Sequence, residues 1–230
     1  MKTILLTKAQ LQIISRSTLF QNITPSSLEL IFQDLSADLQ HYPEPSLFAS
    51  EGELCKGISL VLEGSVEVKK IHISGKETTV TELYPGDTFG EVIIFSDYKH
   101  FPSSLFSRKN TRILHIPEEA VLSLCKVKPD FLRNLMGLLS NKVWMMSNKV
   151  RILSYDRLKQ RVASYLMHQY RIQDTSNLTL PHNRQEMADY LDMPRPSLSR
   201  ELQNLKNEGL ILYHKYQFTL LQPEKLESIL

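Results

Sequence analysis

The sequence predicts an α+β chain: an amino-terminal antiparallel β roll, one long helix and a carboxy-terminal winged helix-turn-helix. Six of the eight glycines fall between Gly52 and Gly90, among short β-forming runs. From Leu135 to Leu153 an apolar stripe then repeats at helical spacing with no proline in it. Near the carboxyl end, two short amphipathic segments flank a turn at Asp192-Met193-Pro194. The expected segments are 1–125 for a sensor roll, 126–154 for the long helix and 155–230 for the winged domain.

The roll is read from ISLVLEG, SVEVKKIHI, ETTVTELY and RILHIP, where β-formers dominate and glycine or polar turns separate the runs. Val66 and Val68 alternate with polar neighbours, as in a half-buried strand. Ahead of these runs, Asn22 to Leu39 reads as helix, with Leu28, Ile31, Phe32 and Leu35 on one face.

Beyond Pro129 the period changes. Leu135, Leu139, Val143, Met146, Val150 and Leu153 follow one another at steps of 4, 4, 3, 4 and 3. Such a heptad-like seam suits pairing with a second copy across a two-fold axis. It also suits a helix packed on its own β domain. A bend at Ser154-Tyr155-Asp156 precedes another helix, Tyr155 to Tyr170, with Val162, Tyr165 and Leu166 facing inward.

The helix-turn-helix is read from Asn183 to Lys206. Asn183 is an N-cap with Glu186 three residues on, where a capping box needs it. Met187, Ala188 and Leu191 then recur at helical spacing. Pro194 disfavours helix at Met193 and opens a second helix, where a missing amide donor costs nothing. That helix runs to about Asn207, and Gly209 stops it. At about 100° per residue, Leu198, Leu202 and Leu205 share one sector. Pro196, Arg200, Gln203 and Asn207 lie opposite, flanked by Ser197, Ser199 and Asn204, with Arg195 at the amino end. A helix so disposed can enter the major groove, where one bidentate arginine–guanine pair contributes roughly 1–3 kcal/mol of discrimination. An ordinary solvated helix has the same outline. The downstream run LILYHKYQFTLL predicts a hairpin with Lys215 at its tip, read as a wing near phosphate or as a plain cap.

Composition narrows the classes. The chain has 230 residues, 42% of them apolar, and a net charge of +2. Residues 1–125 are net −4, 126–154 net +5 and 155–230 net +1. A DNA reading therefore rests on placed side chains and not on bulk charge. No run reaches the ~18 apolar residues of a membrane helix, and the amino terminus lacks a signal peptide's long apolar region. The expected location is the cytoplasm, with no membrane partner. Only Cys55 and Cys125 occur, which points to reduced thiols. No His-x-His pair, Gly-rich phosphate loop or G-x-S-x-G elbow is present, which argues against a cupin-like enzyme and for a non-enzyme.

The stretches LVLEGSVEV, LYPGDTFGEV and NRQEMADYL…RPSLSREL, within a match from Leu19 to Leu221, resemble the CRP/FNR family of bacterial transcription regulators. The resemblance implies a cyclic-nucleotide-binding-like jelly roll and a homodimer on an inverted-repeat operator. Its partners would be double-stranded DNA and RNA polymerase. It implies base reading by Arg195, Ser197 and Arg200, and backbone contacts from Arg184 and Gln185. Ser199, Gln203 and Lys206 complete the expected DNA-facing set. Pro196 stands where the family often has an acidic residue, so the preferred half-site should differ.

Cyclic-nucleotide-binding members follow a glycine–glutamate pair, about ten residues on, with an arginine–serine pair. Gly90-Glu91 is present, but the arginine position falls on Phe101, followed by Pro102, Ser103 and Ser104. A buried phosphate without a matching cation is costly. The expectation is therefore an unknown small-molecule effector, or none, and not a cyclic nucleotide; a cyclic-nucleotide response is the alternative. The candidate pocket comprises Gly90, Glu91, Phe101, Ser103, Ser104 and Met146, with Phe89, Phe95 and Met145 lending apolar surface, though the same residues make an ordinary core. No cysteine cluster precedes Cys55, and the seven histidines are scattered, so neither an iron–sulfur cluster nor haem is expected. A module whose helix-turn-helix no longer touches DNA is a further alternative.

Overall fold

The computed structural model describes residues 4–72 and 74–230. The first three residues, and Ile73 at the end of the SVEVKKIHI run, lie outside the described residues. The chain forms two compact units, the first ending at Asn141 and the second spanning Lys142–Leu230.

In the first unit, helices α1 (Lys8–Arg16) and α2 (Pro25–Asp34) precede eight strands. These are β1 (Asp38–Tyr42), β2 (Ser46–Ala49), β3 (Gly57–Glu63), β4 (Val66–Ile71), β5 (Glu77–Leu83), β6 (Thr88–Phe89), β7 (Ser104–Ser107) and β8 (Thr111–Pro117). They form two antiparallel four-stranded sheets, ordered β1-β8-β3-β6 and β2-β7-β4-β5. The expected roll is present, but the helix read over Asn22–Leu39 is shorter. It ends at Asp34, and Leu39 belongs to β1. Leu35 and Leu39 continue the helical spacing, yet Leu39 pairs with Leu114 in the sheet. The ladder outweighs the local period.

Strand β3 explains why the unit has two cores. Its side chains alternate across the pleat. Ile58, Leu60 and Leu62 face a cluster with Ile14, Phe20, Leu28 and Phe32 of the helical layer. Val61 faces the roll interior with Ala49, Val66, Leu105 and Ile113. At the β3–β4 turn Gly64 has φ +71°, and a Cβ there would meet Thr111 Oγ1 at 2.5 Å. Only glycine fits that turn without strain.

Helices α3 (Glu118–Val127) and α4 (Pro129–Leu153) follow. The base of α4 is fixed to the first unit. Phe131 is fully buried and packs its ring 5.2 Å from that of Phe20. Asn134 donates to the carbonyls of Leu19 and Gln21 at 3.2 and 2.6 Å. This corrects the predicted seam. Leu135 is buried in the helical-layer core, Leu139 packs partly against that core, and Leu138 is also buried. Leu132, Met136, Val143, Met146 and Val150 are exposed. With Leu139 they step by 4, 3, 4, 3 and 4, a better heptad than the one starting at Leu135.

In the second unit, α5 (Leu158–Gln173), α6 (Arg184–Tyr190), α7 (Arg195–Asn207) and α8 (Pro223–Glu227) surround one core. A three-stranded antiparallel sheet, β10 (Ile211–His214), β11 (Gln217–Leu220) and β9 (Asn177–Thr179), closes it. The hairpin was anticipated; β9 was not. The predicted bend at 154–156 is present, with α5 starting at Leu158 rather than Tyr155. Arg161 secures the bend by donating to the carbonyls of Leu153, Tyr155, Leu191 and Asp192, at 2.9–3.4 Å. One guanidinium thus answers the open carbonyls of both the α4 end and the helix-turn-helix turn.

Residues 142–153 of α4 pack on α5 through His168. The Trp144 ring lies 4.8 Å from that imidazole, and the Asn148 amide nitrogen meets Nε2 at 3.0 Å. Since Asn148 donates there, Nε2 carries no proton. Burial, then the nearby charges of Arg151 and Arg171, lower the His168 pKa below the usual 6.5. The unfolded chain therefore binds the proton more readily, and His168 contributes stability above about pH 6.5 that is lost as pH falls below it. Acidification from about pH 7.5 to about pH 5.5 should lower the melting midpoint of this unit, read from the fluorescence of Trp144, the chain's one tryptophan. In His168→Gln that acid-side loss should shrink; an unchanged loss contradicts the assignment.

Candidate nucleic-acid interface and sensor roll

The interface begins at the α6 cap. Asn183 accepts from the amides of Gln185 and Glu186 at 2.8 and 2.9 Å. Glu186 returns the bond to the Asn183 amide at 2.8 Å, completing the capping box. The turn then uses Asp192 at φ +49°, a conformation that aspartate tolerates better than most non-glycine residues. The Met193 amide reaches back to the Ala188 carbonyl at 3.0 Å. Pro194 is the N-cap of α7 and Pro196 lies in its first turn, as the prolines require. At the far end Gly209 has φ +69°, and the Leu210 amide bonds the Leu205 carbonyl at 3.0 Å. That is a Schellman stop.

Between these ends the predicted faces of α7 are realised. Leu198, Leu202 and Leu205 are buried. Arg195, Pro196, Ser199, Arg200, Gln203 and Lys206 are exposed, and Ser197 is half-buried. The guanidinium groups of Arg195 and Arg200 make no hydrogen bond or ion pair among the described residues. Other members of the set are engaged. Ser199 donates to the Arg195 carbonyl at 3.0 Å, and Gln203 donates to Asn207 at 2.8 Å. Gln185, exposed on α6, donates to Asp189 at 2.8 Å. Arg184 is half-buried, its guanidinium over the rings of Tyr213 and Phe218 at 4.7 and 4.9 Å. Sequence reasoning missed these two rings, and nothing in the spacing of residues so far apart points to them. At the wing tip Lys215 is exposed with φ +51°.

Of the expected effector-pocket residues, Gly90, Glu91, Phe101, Ser103 and Ser104 lie in the roll, and Met146 lies on α4. Gly90 follows β6 at φ +92°, and a Cβ there would meet the Gly57 carbonyl oxygen at 2.5 Å. Glu91 beside it is buried. Phe101 packs partly against both cores of the first unit, and its backbone pairs with Gly52 and Glu53 at 2.9 Å. Ser103 and Ser104 are buried, and Ser104 Oγ accepts from the Glu51 amide at 3.1 Å. The nearest cations in sequence are committed elsewhere. Lys99 donates to both carboxylate oxygens of Glu118 at 2.8 Å, and Arg108 pairs with the buried Glu67. In the roll interior the Phe48 ring lies 5.1 Å from Tyr42 and 6.1 Å from Phe89.

Of the expected apolar lining, Phe95, Met145 and Met146 are exposed, and Phe89 and Phe101 are half-buried. Cys55 is buried, with its thiol donating to the Gly57 carbonyl at 3.3 Å, and burial raises its pKa. That is a packing role. Among the described residues no helix is long and apolar enough to cross a membrane. Nor do three or more His, Cys, Asp or Glu residues among them form a group suited to a metal ion.

Comparison with known proteins agrees with this architecture. Residues 39–128 match the cyclic nucleotide-binding domain, and residues 160–229 match the Crp-like helix-turn-helix domain. The cyclic AMP receptor protein of Thermus thermophilus is 27% identical over 195 residues, covering 85% of this chain and 88% of that protein. The crystal structure of the Thermus thermophilus catabolite activator protein aligns over 93% of this chain and 98% of its own, at 26% identity and a TM-score of 0.53. A CooA mutant from Carboxydothermus hydrogenoformans shares the fold, at 21% identity, a TM-score of 0.54, and coverage of 84% and 87%. With a β roll, a long helix and a winged helix-turn-helix in the order these matches require, the chain belongs to the CRP/FNR family of transcription regulators.

Proposed function

We propose that the protein is a site-specific, homodimeric DNA-binding regulator that acts in the cytoplasm and catalyses no reaction. The observation behind this is the face of α7. Its leucines are buried, Arg200 stands on the opposite side, Arg195 is exposed at the amino end, and neither guanidinium has a partner among the described residues. A guanidinium with open donors is suited to the acceptor pair on a guanine edge. Across a two-fold axis, two such helices about 34 Å apart read an inverted repeat. Arg195, Ser197 and Arg200 are assigned to base edges, and Gln185, Ser199, Gln203 and Lys206 to bases or phosphates nearby. Pro196 offers no acceptor for a cytosine amine. RNA polymerase is the partner by family.

The two copies meet along Leu132, Met136, Leu139, Val143, Met146 and Val150 of α4. This stripe holds heptad spacing for nearly three heptads, most of it exposed in the single chain. The domains we assign are those read from sequence: a roll over 1–125, a dimer helix over 126–154 and a DNA head over 155–230.

The roll is the sensor, and its signal is not a cyclic nucleotide. Phe101 stands where a cyclic phosphate needs a cation, and Lys99 and Arg108 already neutralise Glu118 and Glu67. Withdrawing Lys99 to meet a phosphate would strand the Glu118 carboxylate, and withdrawing Arg108 would leave Glu67 with Lys69 alone. A cyclic-nucleotide response is the second reading, favoured by the matched domain and by the buried Glu91 at its glycine turn. In either case the effector shifts a population between two arrangements of the heads.

Selection from a random duplex library should return an inverted repeat. Arg200→Ala should lose discrimination at one base pair per half-site, at a cost of roughly 1–3 kcal/mol. Equal weakening on every sequence contradicts the base-reading role. Val143→Glu with Met146→Glu should give a monomer by sedimentation. Leu135→Ala should leave the dimer and lower the stability of the first unit by about 2–5 kcal/mol. A dimer that survives the two glutamates refutes the seam.

A further inference from the structure

We propose that Arg184 is a positioning residue that docks the wing onto the helix-turn-helix, and not a ligand for a DNA phosphate. The inference rests on the DNA-binding reading above and adds to it a residue that sets how the interface is held. Arg184 is the first residue of α6, at the edge of the helix-turn-helix. Its guanidinium does not stand clear of the surface. It lies over two rings at once, 4.7 Å from Tyr213 and 4.9 Å from Phe218. Those residues face each other across β10 and β11. Their rings stack at 5.3 Å with 24° between planes. A planar cation on a stacked aromatic pair is attracted by both ring faces, more strongly once water is excluded. Burial is also what lowers the Arg184 pKa first.

Tyr213 extends the dock to the recognition helix. The Lys206 ammonium lies 5.5 Å from its ring centroid, and its hydroxyl donates to Gln203 Oε1 at 3.4 Å. One wing tyrosine therefore touches α6 through Arg184 and α7 through Gln203 and Lys206. The last two belong to the proposed DNA-facing set. Lys215 sits at the tip of the same hairpin, two residues beyond Tyr213. Loss of the Arg184 stack would free the hairpin, and with it the groups that Tyr213 and the tip hold toward a duplex.

The test is a double-mutant cycle on the full-length protein with its selected duplex. Arg184→Ala and Tyr213→Leu should each weaken binding by about five- to tenfold, the range a partly desolvated cation–π contact supplies. The double variant should be no worse than either single one. Both should show the same salt slope. Tyr213→Phe, which keeps the stack and drops the hydroxyl, should stay within about twofold of the parent, less than half a kcal/mol. A phosphate contact predicts otherwise: additive losses, and a slope reduced by about 0.9 in Arg184→Ala alone. Either result overturns the proposal. Amide exchange in the free protein supplies an arm without DNA. Arg184→Ala should speed exchange across the wing, from Tyr213 to Phe218, and unchanged protection there also overturns it. If the parent protein selects no duplex, the DNA reading fails while the exchange arm still decides the dock.

Discussion

Leu198, Leu202 and Leu205 lie along one side of α7 and are almost wholly withdrawn from water. Burial of each contributes on the order of 1.5–3 kcal/mol, so rotating the helix about its axis would expose several kcal/mol of apolar surface. That constraint fixes the direction of everything else on α7. Arg195 and Arg200 point outward because the leucines cannot. The caps fix where the helix begins and ends: Pro194 and Pro196 at one end, the Gly209 stop at the other. The second constraint is Arg161, whose guanidinium holds the carbonyls at the α4 end and at the α6–α7 turn together. The outward face of α7 thus follows from a ridge of leucines and from the half-buried Arg161, none of which lies on that face.

The features legible in the sequence are those whose cause is local. The Asn183–Glu186 box, the Pro194 start and the Gly209 stop depend on residues three or four apart, and all appear as expected. The glycine-punctuated roll was legible for the same reason. What failed depends on partners distant in the chain. Leu35 and Leu39 keep a helical period, but β8 recruits Leu39. Leu135 and Met136 both fall at helical spacing with Leu139 and Val143. Phe131 and Phe20 settle which one turns inward. Strand β9 is three residues long and exists because β11 offers an edge. The Arg184 stack joins residues of α6 to both strands of the wing, and no local pattern encodes it.

The two halves of the chain divide the physical work. In the roll, the charges are neutralised at home: Lys99 with Glu118, Arg108 with Glu67, and Lys69 between Glu67 and Glu77. Phe101 packs against both of its cores, and Glu67, Glu91, Ser103 and Ser104 are also buried in it. In the winged domain Lys159 and Arg171 are likewise paired, with Glu208 and Glu227. Cations are left open on α7 and at the wing tip, where a polyanion can take them up.

Arginine modification in the presence and absence of duplex shows whether α7 turns its guanidinium groups to DNA. Phenylglyoxal labelling of the full-length protein, read by mass spectrometry, reports each guanidinium separately. Arg195 and Arg200 should label readily in the free protein and be protected by an inverted-repeat duplex, with much weaker protection by an unrelated one. Equal labelling of both with and without the specific duplex would contradict it.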